Sequence, residues 1–133
     1  MKKIKLLGLA KLNAILVFII FNTVSARADW IYFTETINGA KISLNNEALR
    51  NEELVRMWVM IDLPYKQTNG ALSQREFWEL NCKEQSFRIL QIEYFPQQKL
   101  SGLRLSGEVN PGDWRYPAPG NVDKIIMEKY CKL

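Results

Sequence analysis

The stretch "LVRMWVMIDL", residues 54–63, constrains the fold more than any other part of the chain. Apolar residues occupy nearly every position in it. A strand with one buried face alternates apolar and polar residues, whereas a strand that is apolar throughout is buried on both faces. We therefore predict that this segment is a central strand of a sheet.

The segments around it show the period-two alternation that is typical of strands. "DWIYFTETINGAKISL" predicts a hairpin, because Asn38 and Gly39 tolerate the positive φ of a tight turn. "SQREFWELNC" and "FRILQIEYF" predict a second hairpin, joined by the short loop "KEQS". Alternation within these two strands places Trp78 and Leu80 on one face, and Phe77 and Phe87 on the opposite one.

Two further segments have less regular patterns. "LRLSGEV" alternates, and it predicts a last strand with Leu103, Leu105 and Val109 facing inward. "NNEALRNEEL" is polar, and we expect one helical turn or a loop there.

The C-terminal part predicts a loop and then a helix. "NPGDWRYPAPGN" holds three prolines and two glycines, which oppose regular structure. Asn121 is a suitable N-cap for a helix from Val122 to about Lys132, whose apolar stripe includes Ile126 and Tyr130. The predicted fold is α+β: an antiparallel sheet of about six strands with a C-terminal helix packed on one face.

The N-terminus has the pattern of a signal peptide. A positive start, "MKKIK", precedes the apolar run "AILVFIIF", which is short for a membrane-spanning helix. Ala26 and Ala28 then supply a small-x-small cleavage pattern, so the expected mature chain begins at Asp29. This predicts a signal peptide at 1–28 and a single domain at 29–133; the alternative is an uncleaved N-terminal anchor.

The charge of the mature chain argues against nucleic-acid binding. The full sequence has 18 Lys and Arg against 14 Asp and Glu. Five of the positive residues and none of the acids lie in residues 1–28, so residues 29–133 carry 13 positive and 14 negative side chains. The basic pI of the full sequence therefore reflects its leader, and no nucleic-acid partner is expected.

Cys82 and Cys131 are predicted to form a structural disulfide, because export carries the chain into an oxidising compartment. Such a bridge would hold the C-terminal helix against the sheet face that carries Trp78 and Leu80. The alternative, a pair of redox-active thiols, is disfavoured because the spacing is far from Cys-x-x-Cys. No cysteine lies near the cleavage site, so a lipid-anchored start is not expected.

The composition argues against an enzyme. The chain contains no histidine, which removes the commonest general base and the commonest metal ligand. Glu76 and Glu79 are three apart on a predicted strand and therefore face opposite sides. Asp62 is expected to cap a loop or pair with an arginine. No catalytic residue, metal site or cofactor is predicted.

The aromatic residues are the strongest candidates for function. Trp114, Arg115 and Tyr116 lie in the proline-rich loop, and tryptophan, arginine and tyrosine are enriched at the energetic centres of protein interfaces. We predict that these three residues bind a protein. The alternative is that Trp114 folds back to plug the end of the sheet.

The order of these features resembles the surface-adhesin protein E family of small secreted bacterial proteins. The resemblance covers nearly all of residues 29–133, and it is carried by the Trp58 strand "VRMWVMIDL", by "EFWELNC" and by the ending "DWRYPAPGNVDKIIMEKYC". It implies an antiparallel sheet with a helix, a two-cysteine bridge, a bacterial envelope protein and adhesion to host matrix proteins. The lipid-bearing cysteine of the family's namesake is absent here.

Together these features predict an exported envelope protein, periplasmic or at the cell surface, that is non-enzymatic and binds proteins as an adhesin does. Extracellular-matrix or envelope proteins are the expected partners, and the mature chain is expected to have no transmembrane segment. The alternative hypothesis is a periplasmic structural or accessory protein that self-associates, for example as a homodimer, because an open sheet edge invites pairing.

Overall fold

The computed structural model describes residues 29–132, so the predicted signal peptide at 1–28, with Ala26 and Ala28, lies outside the described residues. The chain forms an antiparallel sheet of seven strands and one C-terminal helix, which is the predicted α+β class. The strands are β1 (Trp30–Glu35), β2 (Lys41–Asn45), β3 (Leu49–Asn51), β4 (Leu54–Asp62), β5 (Ser73–Asn81), β6 (Ser86–Phe95) and β7 (Ser106–Glu108). A 3-10 turn spans Gln98–Leu100, and the helix α1 spans Val122–Cys131.

The strand order is β1-β2-β4-β5-β6-β7, and β3 pairs with the first part of β4. β4 is therefore central, as its continuous apolar sequence predicts. Both predicted hairpins are present, β1 with β2 and β5 with β6. The turn of the first hairpin depends on Gly39, whose φ of 87° is a conformation that side chains with a Cβ rarely adopt.

The helix covers one face of this sheet. Ile126 and Met127 of α1 are fully buried, and they pack with side chains of β2, β4, β5 and β6. The sheet residues of this core are Ile42, Leu44, Val55, Met57, Val59, Trp78, Leu80 and Phe87. Cys82, just after β5, and Cys131, at the end of α1, form a disulfide with a Cα–Cα distance of 5.4 Å. This bridge attaches the last turn of the helix to the sheet.

The start of α1 differs from the prediction in one detail. Asn121 does precede the helix, with extended backbone angles, but its side chain makes no capping hydrogen bond. Its carbonyl instead accepts the first helical bond, from the N–H of Ile125, at 3.1 Å.

The prediction for Phe87 was wrong. Phe77 pairs with Gln91 and Trp78 pairs with Ile89, so Leu90 is an extra residue in β6. Such a bulge shifts the alternation of the strand by one position. Phe87 therefore lies in the core under α1, where its ring stacks on Trp78 at a centroid distance of 4.7 Å.

Two other segments also differ from the prediction. "NNEALRNEEL" contains the short strand β3, which ends at a turn where Glu52 has a positive φ of 51°. β7 is only three residues long, and the apolar residues around it, Leu103, Leu105 and Val109, are exposed. Alternation is a weak guide here because an edge strand this short buries neither of its faces.

Candidate functional site

The predicted binding segment, Trp114 to Tyr116, lies along the edge of β6. Arg115 pairs with Phe87 through two backbone hydrogen bonds of 2.8 and 2.9 Å, so the segment is fixed to the sheet. Trp114 is 38% exposed. The guanidinium carbon of Arg88 lies over the Trp114 ring, 4.5 Å from the centroid of that ring. Tyr116 is 73% exposed. The segment thus presents two accessible aromatic rings from a backbone that the sheet edge holds in place.

Arg115 has a different environment from the two rings beside it. Its charge acts on Glu76, a buried carboxylate on the helix-covered face. Burial raises the pKa of Glu76, and the hydrogen bonds from Trp78 and Gln74, together with the charge of Arg115, offset only part of that rise. All three predicted residues are exposed, but the charge of Arg115 acts on the helix-covered face whereas Trp114 contacts Arg88 on the opposite face, so the three do not form one cluster.

The sheet surface opposite α1, here called the open sheet face, carries Arg56, Trp58, Arg75, Phe77, Glu79, Arg88 and Glu93. Strand pairing aligns Arg56, Glu79 and Arg88 in one row across β4, β5 and β6. Nε of Arg56 donates to Glu79 Oε2 at 2.7 Å, and Nε of Arg88 donates to Glu79 Oε1 at 2.9 Å. Trp114 continues this row through its contact with Arg88.

A second row of the same kind lies four residues further along β5. Arg75 pairs with Glu93 across β5 and β6, and its Nε donates to Glu93 Oε2. Nη1 of Arg104 donates to Glu93 Oε1 at 3.0 Å. Each row therefore consists of one carboxylate held between two arginines.

The carboxylates are buried and the arginines are accessible. The side chains of Glu79 and Glu93 are 2% and 8% exposed, whereas those of Arg56 and Arg104 are about half exposed. Burial alone would raise the pKa of both carboxyls, but the hydrogen bonds and charges of their arginines outweigh it and hold each pKa below its ordinary value. Four guanidiniums thus face two ionised carboxylates, which leaves an excess of positive charge on this surface.

Aromatic rings lie between the two rows. Trp58 and Phe77 are paired neighbours on β4 and β5, and their rings stack at a centroid distance of 4.8 Å. The guanidinium of Arg75 lies over Trp58, 4.7 Å from the ring centroid, in the range of a cation–π contact. These rings form the floor of a cavity of about 280 Å³ that Trp30 and Arg56 also line.

A larger cavity of about 570 Å³ adjoins the first at Trp30, which lines both. Tyr32, Lys41, Met60 and Lys99 are among its other lining residues. Its end is closed by the 3-10 turn, because Asp62 Oδ1 accepts the backbone N–H of Lys99 at 2.6 Å. Asp62 therefore caps a loop, as predicted. The two cavities lie side by side on the open sheet face and share Trp30; together they are here called the groove.

The arginine rows were not predicted, although the sequence contains a signal for them. Arg56 alternates with Met57 in β4, and Arg75, Phe77 and Glu79 alternate with the core residues of β5. Alternation alone places all of these side chains on the face opposite the core. Which residues stand side by side depends on the strand register, which the sequence does not give.

The described residues offer little for catalysis or metal binding. Glu76 and Glu79 lie on opposite faces, as predicted, and cannot act as a carboxylate pair. Among residues 29–132, no group of three or more cysteine or acidic side chains converges to hold a metal ion. Within the same range, no helix combines the length and the apolar composition that a bilayer crossing requires.

Comparison with known proteins identifies relatives of this chain. Residues 30–132 match the model of a family described as surface-adhesin protein E, whereas no curated protein matches the sequence. Crystal form II of protein E from Haemophilus influenzae has a similar fold, with a TM-score of 0.60 at 15% identity, over 80% of this chain and 89% of that one. The crystal structure of protein E from non-typeable Haemophilus influenzae matches with a TM-score of 0.58 at 14% identity, over 82% of this chain and 79% of that one. The chain belongs to the surface-adhesin protein E family.

Proposed function

We propose that residues 29–133 are an exported, non-enzymatic binding module that attaches to another protein as an adhesin does. Family membership supports adhesion, and the disulfide between Cys82 and Cys131 supports an oxidising compartment outside the cytosol. The expected location is the periplasm or the cell surface, after removal of residues 1–28 and without a lipid anchor. Extracellular-matrix or envelope proteins are the proposed partners.

The observation that supports this function best is the contrast between the two sheet faces. One face is covered by α1, while the other displays accessible arginines and half-buried aromatic rings. Arginine and aromatic side chains that can be desolvated together supply much of the affinity at protein interfaces. Trp114 and Tyr116 stand at the edge of the open sheet face, where a partner would reach them without displacing the core.

The test is capture of partners by wild-type protein and by Trp114→Ala. The native protein is immobilised and exposed to purified matrix proteins and to an extract of envelope proteins. We expect the Trp114→Ala variant to lose most of the capture, because it removes a ring that the sheet edge holds in an accessible position. Tyr65→Ala is the matched control, since Tyr65 is 77% exposed in the loop between β4 and β5. A folded Trp114→Ala variant that captures partners as well as wild type would contradict the proposal.

The alternative function, self-association, is supported by another part of the sheet edge along which Trp114 to Tyr116 lie. Within residues 29–132, β7 pairs only with β6 and is the last strand of the sheet order, and the neighbouring Leu103 and Val109 are 88% and 72% exposed. An unpaired edge with apolar neighbours can add a strand from a second copy. Size-exclusion chromatography with light scattering separates the two functions, because self-association gives a dimer or larger species in the absence of any other protein.

A further inference from the structure

We infer that the groove on the open sheet face binds an acidic polysaccharide, with Arg56 and Arg75 holding its anionic groups and Trp58 and Phe77 supporting its sugar rings. The inference deepens the proposed function, since it names a ligand for the part of the same face that lies away from Trp114.

Arg56 and Arg75 have hydrogen-bonding capacity to spare. Within residues 29–132, the side chains of Arg56 and Arg75 each donate a hydrogen bond through Nε to a buried glutamate. Their Nη amino groups remain available for a ligand, and the two side chains are 50% and 37% exposed. A guanidinium presents a planar pair of donors that matches the oxygens of a carboxylate or a similar oxyanion such as sulfate.

The guanidiniums of Arg56 and Arg75 are held in fixed orientations. Each guanidinium is fixed by its glutamate, and Arg75 also lies against the ring of Trp58. Less side-chain entropy is therefore lost when a ligand binds, because the donors are already oriented. Buried glutamates paired with accessible arginines are thus suited to anion binding as well as to stability.

The spacing of the two arginines and the rings between them indicate the shape of the ligand. Arg56 and Arg75 lie two rows apart on one face of the sheet, so their backbones are separated by about 14 Å along the strands. Because the two guanidiniums belong to different rows, a ligand that contacts both is expected to carry more than one anionic group, as an acidic polysaccharide does. The stacked rings of Trp58 and Phe77 lie between the two arginines. Phe77 and the guanidinium of Arg75 lie against Trp58, so the part of the rings that lines the cavity offers apolar contact to the C–H groups of a sugar.

The position of the groove on the sheet favours a polysaccharide over an acidic peptide. An extended peptide commonly binds to a sheet through main-chain hydrogen bonds at an open edge. The groove lies on the face of paired strands, where the backbone groups are already used in the ladders with β2, β4 and β5. Recognition there depends on side chains, which favours a stiff chain with regularly spaced anionic groups.

The charge distribution supports local recognition. Residues 29–133 have one more acidic than basic side chain, so the whole domain does not attract anions. Four of its six arginines, Arg56, Arg75, Arg88 and Arg104, nevertheless surround the two carboxylate rows. In the adjoining cavity Lys41 and Lys99 are balanced by Glu35 and Asp62, and Glu47 lines the smaller cavity, so the positive charge is concentrated at the arginine rows. Binding of an anionic polymer would therefore be confined to this face.

The test is the affinity of the native, disulfide-bonded protein for an immobilised heparin oligosaccharide at low ionic strength, where surface charges are least screened. We expect Arg56→Gln with Arg75→Gln to raise Kd at least about tenfold, since two charged donors are lost. Glu79 and Glu93 keep Arg88 and Arg104 as partners, so the variant is expected to fold. Lys66→Gln with Lys83→Gln is the control for net charge, because it removes the same charge from two loops outside the groove and should leave Kd within about twofold.

A second pair of variants keeps the test decisive if the first does not fold. Arg56→Lys with Arg75→Lys preserves the charge but removes the planar donors, and we expect a Kd at least about threefold higher than that of wild type. Equal weakening by the groove and control pairs would overturn the inference. So would displacement of the heparin oligosaccharide by polyglutamate of matched charge, which would indicate an acidic peptide. Loss of heparin binding with unchanged protein capture separates this inference from the proposed function.

Discussion

At the scale of single residues, Glu79 is the best example of a charge that stabilises the fold and also prepares a surface. Its buried carboxylate accepts hydrogen bonds from Arg56 and Arg88, which lie on β4 and β6, the two strands that flank β5. A buried carboxylate without such partners would carry a large desolvation cost. The pair of arginines offsets that cost and is itself held in place.

We predict that Glu79→Gln lowers the free energy of unfolding by about 2–3 kcal/mol near neutral pH, because hydrogen bonds to a charged group are lost in a buried setting. The pKa of Glu79 is lower in the folded than in the unfolded protein. Its stabilising contribution is therefore present above the unfolded pKa and is lost as the pH falls through the folded pKa. The difference between variant and wild type should shrink in strongly acidic solution.

Urea unfolding of both proteins across the pH range measures this effect. Glu53→Gln is the matched control, because Glu53 is 58% exposed and lies 4.0 Å from Lys83. That exposed pair should contribute less than about 1 kcal/mol. A Glu79→Gln variant as stable as the Glu53→Gln variant at neutral pH would show that the arginine rows do not stabilise the sheet.

At the scale of elements, the helix and the sheet are joined by apolar packing and by one covalent bond. Met127 and Ile126 are buried against the sheet, and the bond between Cys82 and Cys131 fixes the end of the helix. The two cysteines are separated by 49 residues. Closing a loop of this length removes much of the conformational freedom of the unfolded chain.

We predict that Cys82→Ala with Cys131→Ala lowers the free energy of unfolding by up to about 4 kcal/mol, the value that loop-closure entropy gives for this separation. Urea unfolding with and without a thiol reductant measures it. The reductant should destabilise the wild-type protein and leave the double variant unchanged, which serves as the control. Equal midpoints for reduced and oxidised wild-type protein would contradict a structural role for the bridge.

The elements also show how far sequence patterns determine this fold. The two main hairpins, the central position of β4 and the helix follow from alternation, a tight turn at Gly39 and a continuous apolar run. The position of Phe87 does not follow, because one extra residue, Leu90, shifts the alternation, and its insertion depends on the pairing with β5. The strand β3 is equally hard to predict, since its three residues are all exposed and two of them, Arg50 and Asn51, are polar.

The candidate site was predictable in composition but not in arrangement. Tryptophan, arginine and tyrosine at 114–116 are evident in the sequence, whereas the separation of Arg115 from its neighbours comes from the backbone pairing with Phe87. The rows around Glu79 and Glu93 join strands whose relative register is set by the whole sheet. Which side chains become neighbours across strands depends on the tertiary structure and cannot be read from the sequence pattern alone.

At the scale of the whole molecule, we propose that the two sheet faces have separate roles. The face beneath α1 is apolar, buried and secured by the disulfide. The open sheet face carries arginines and aromatic rings and is uncovered by the helix, and within residues 29–132 the outer edge of β7 is unpaired. On this proposal, one face holds the small domain together and the other makes its contacts.

The indole N–H signals of the tryptophans test this division of roles most directly. Trp30 and Trp58 line the groove, whereas Trp78 is 6% exposed beneath α1 and donates its indole N–H to Glu76. The measurement is a titration of ¹⁵N-labelled protein with the heparin oligosaccharide, and single Trp→Phe variants assign each signal. We expect the Trp30 and Trp58 signals to shift in a saturable manner while the Trp78 signal stays in place. A shift of the Trp78 signal with unchanged Trp30 and Trp58 signals, or no shift at all, would contradict the open sheet face as the binding surface.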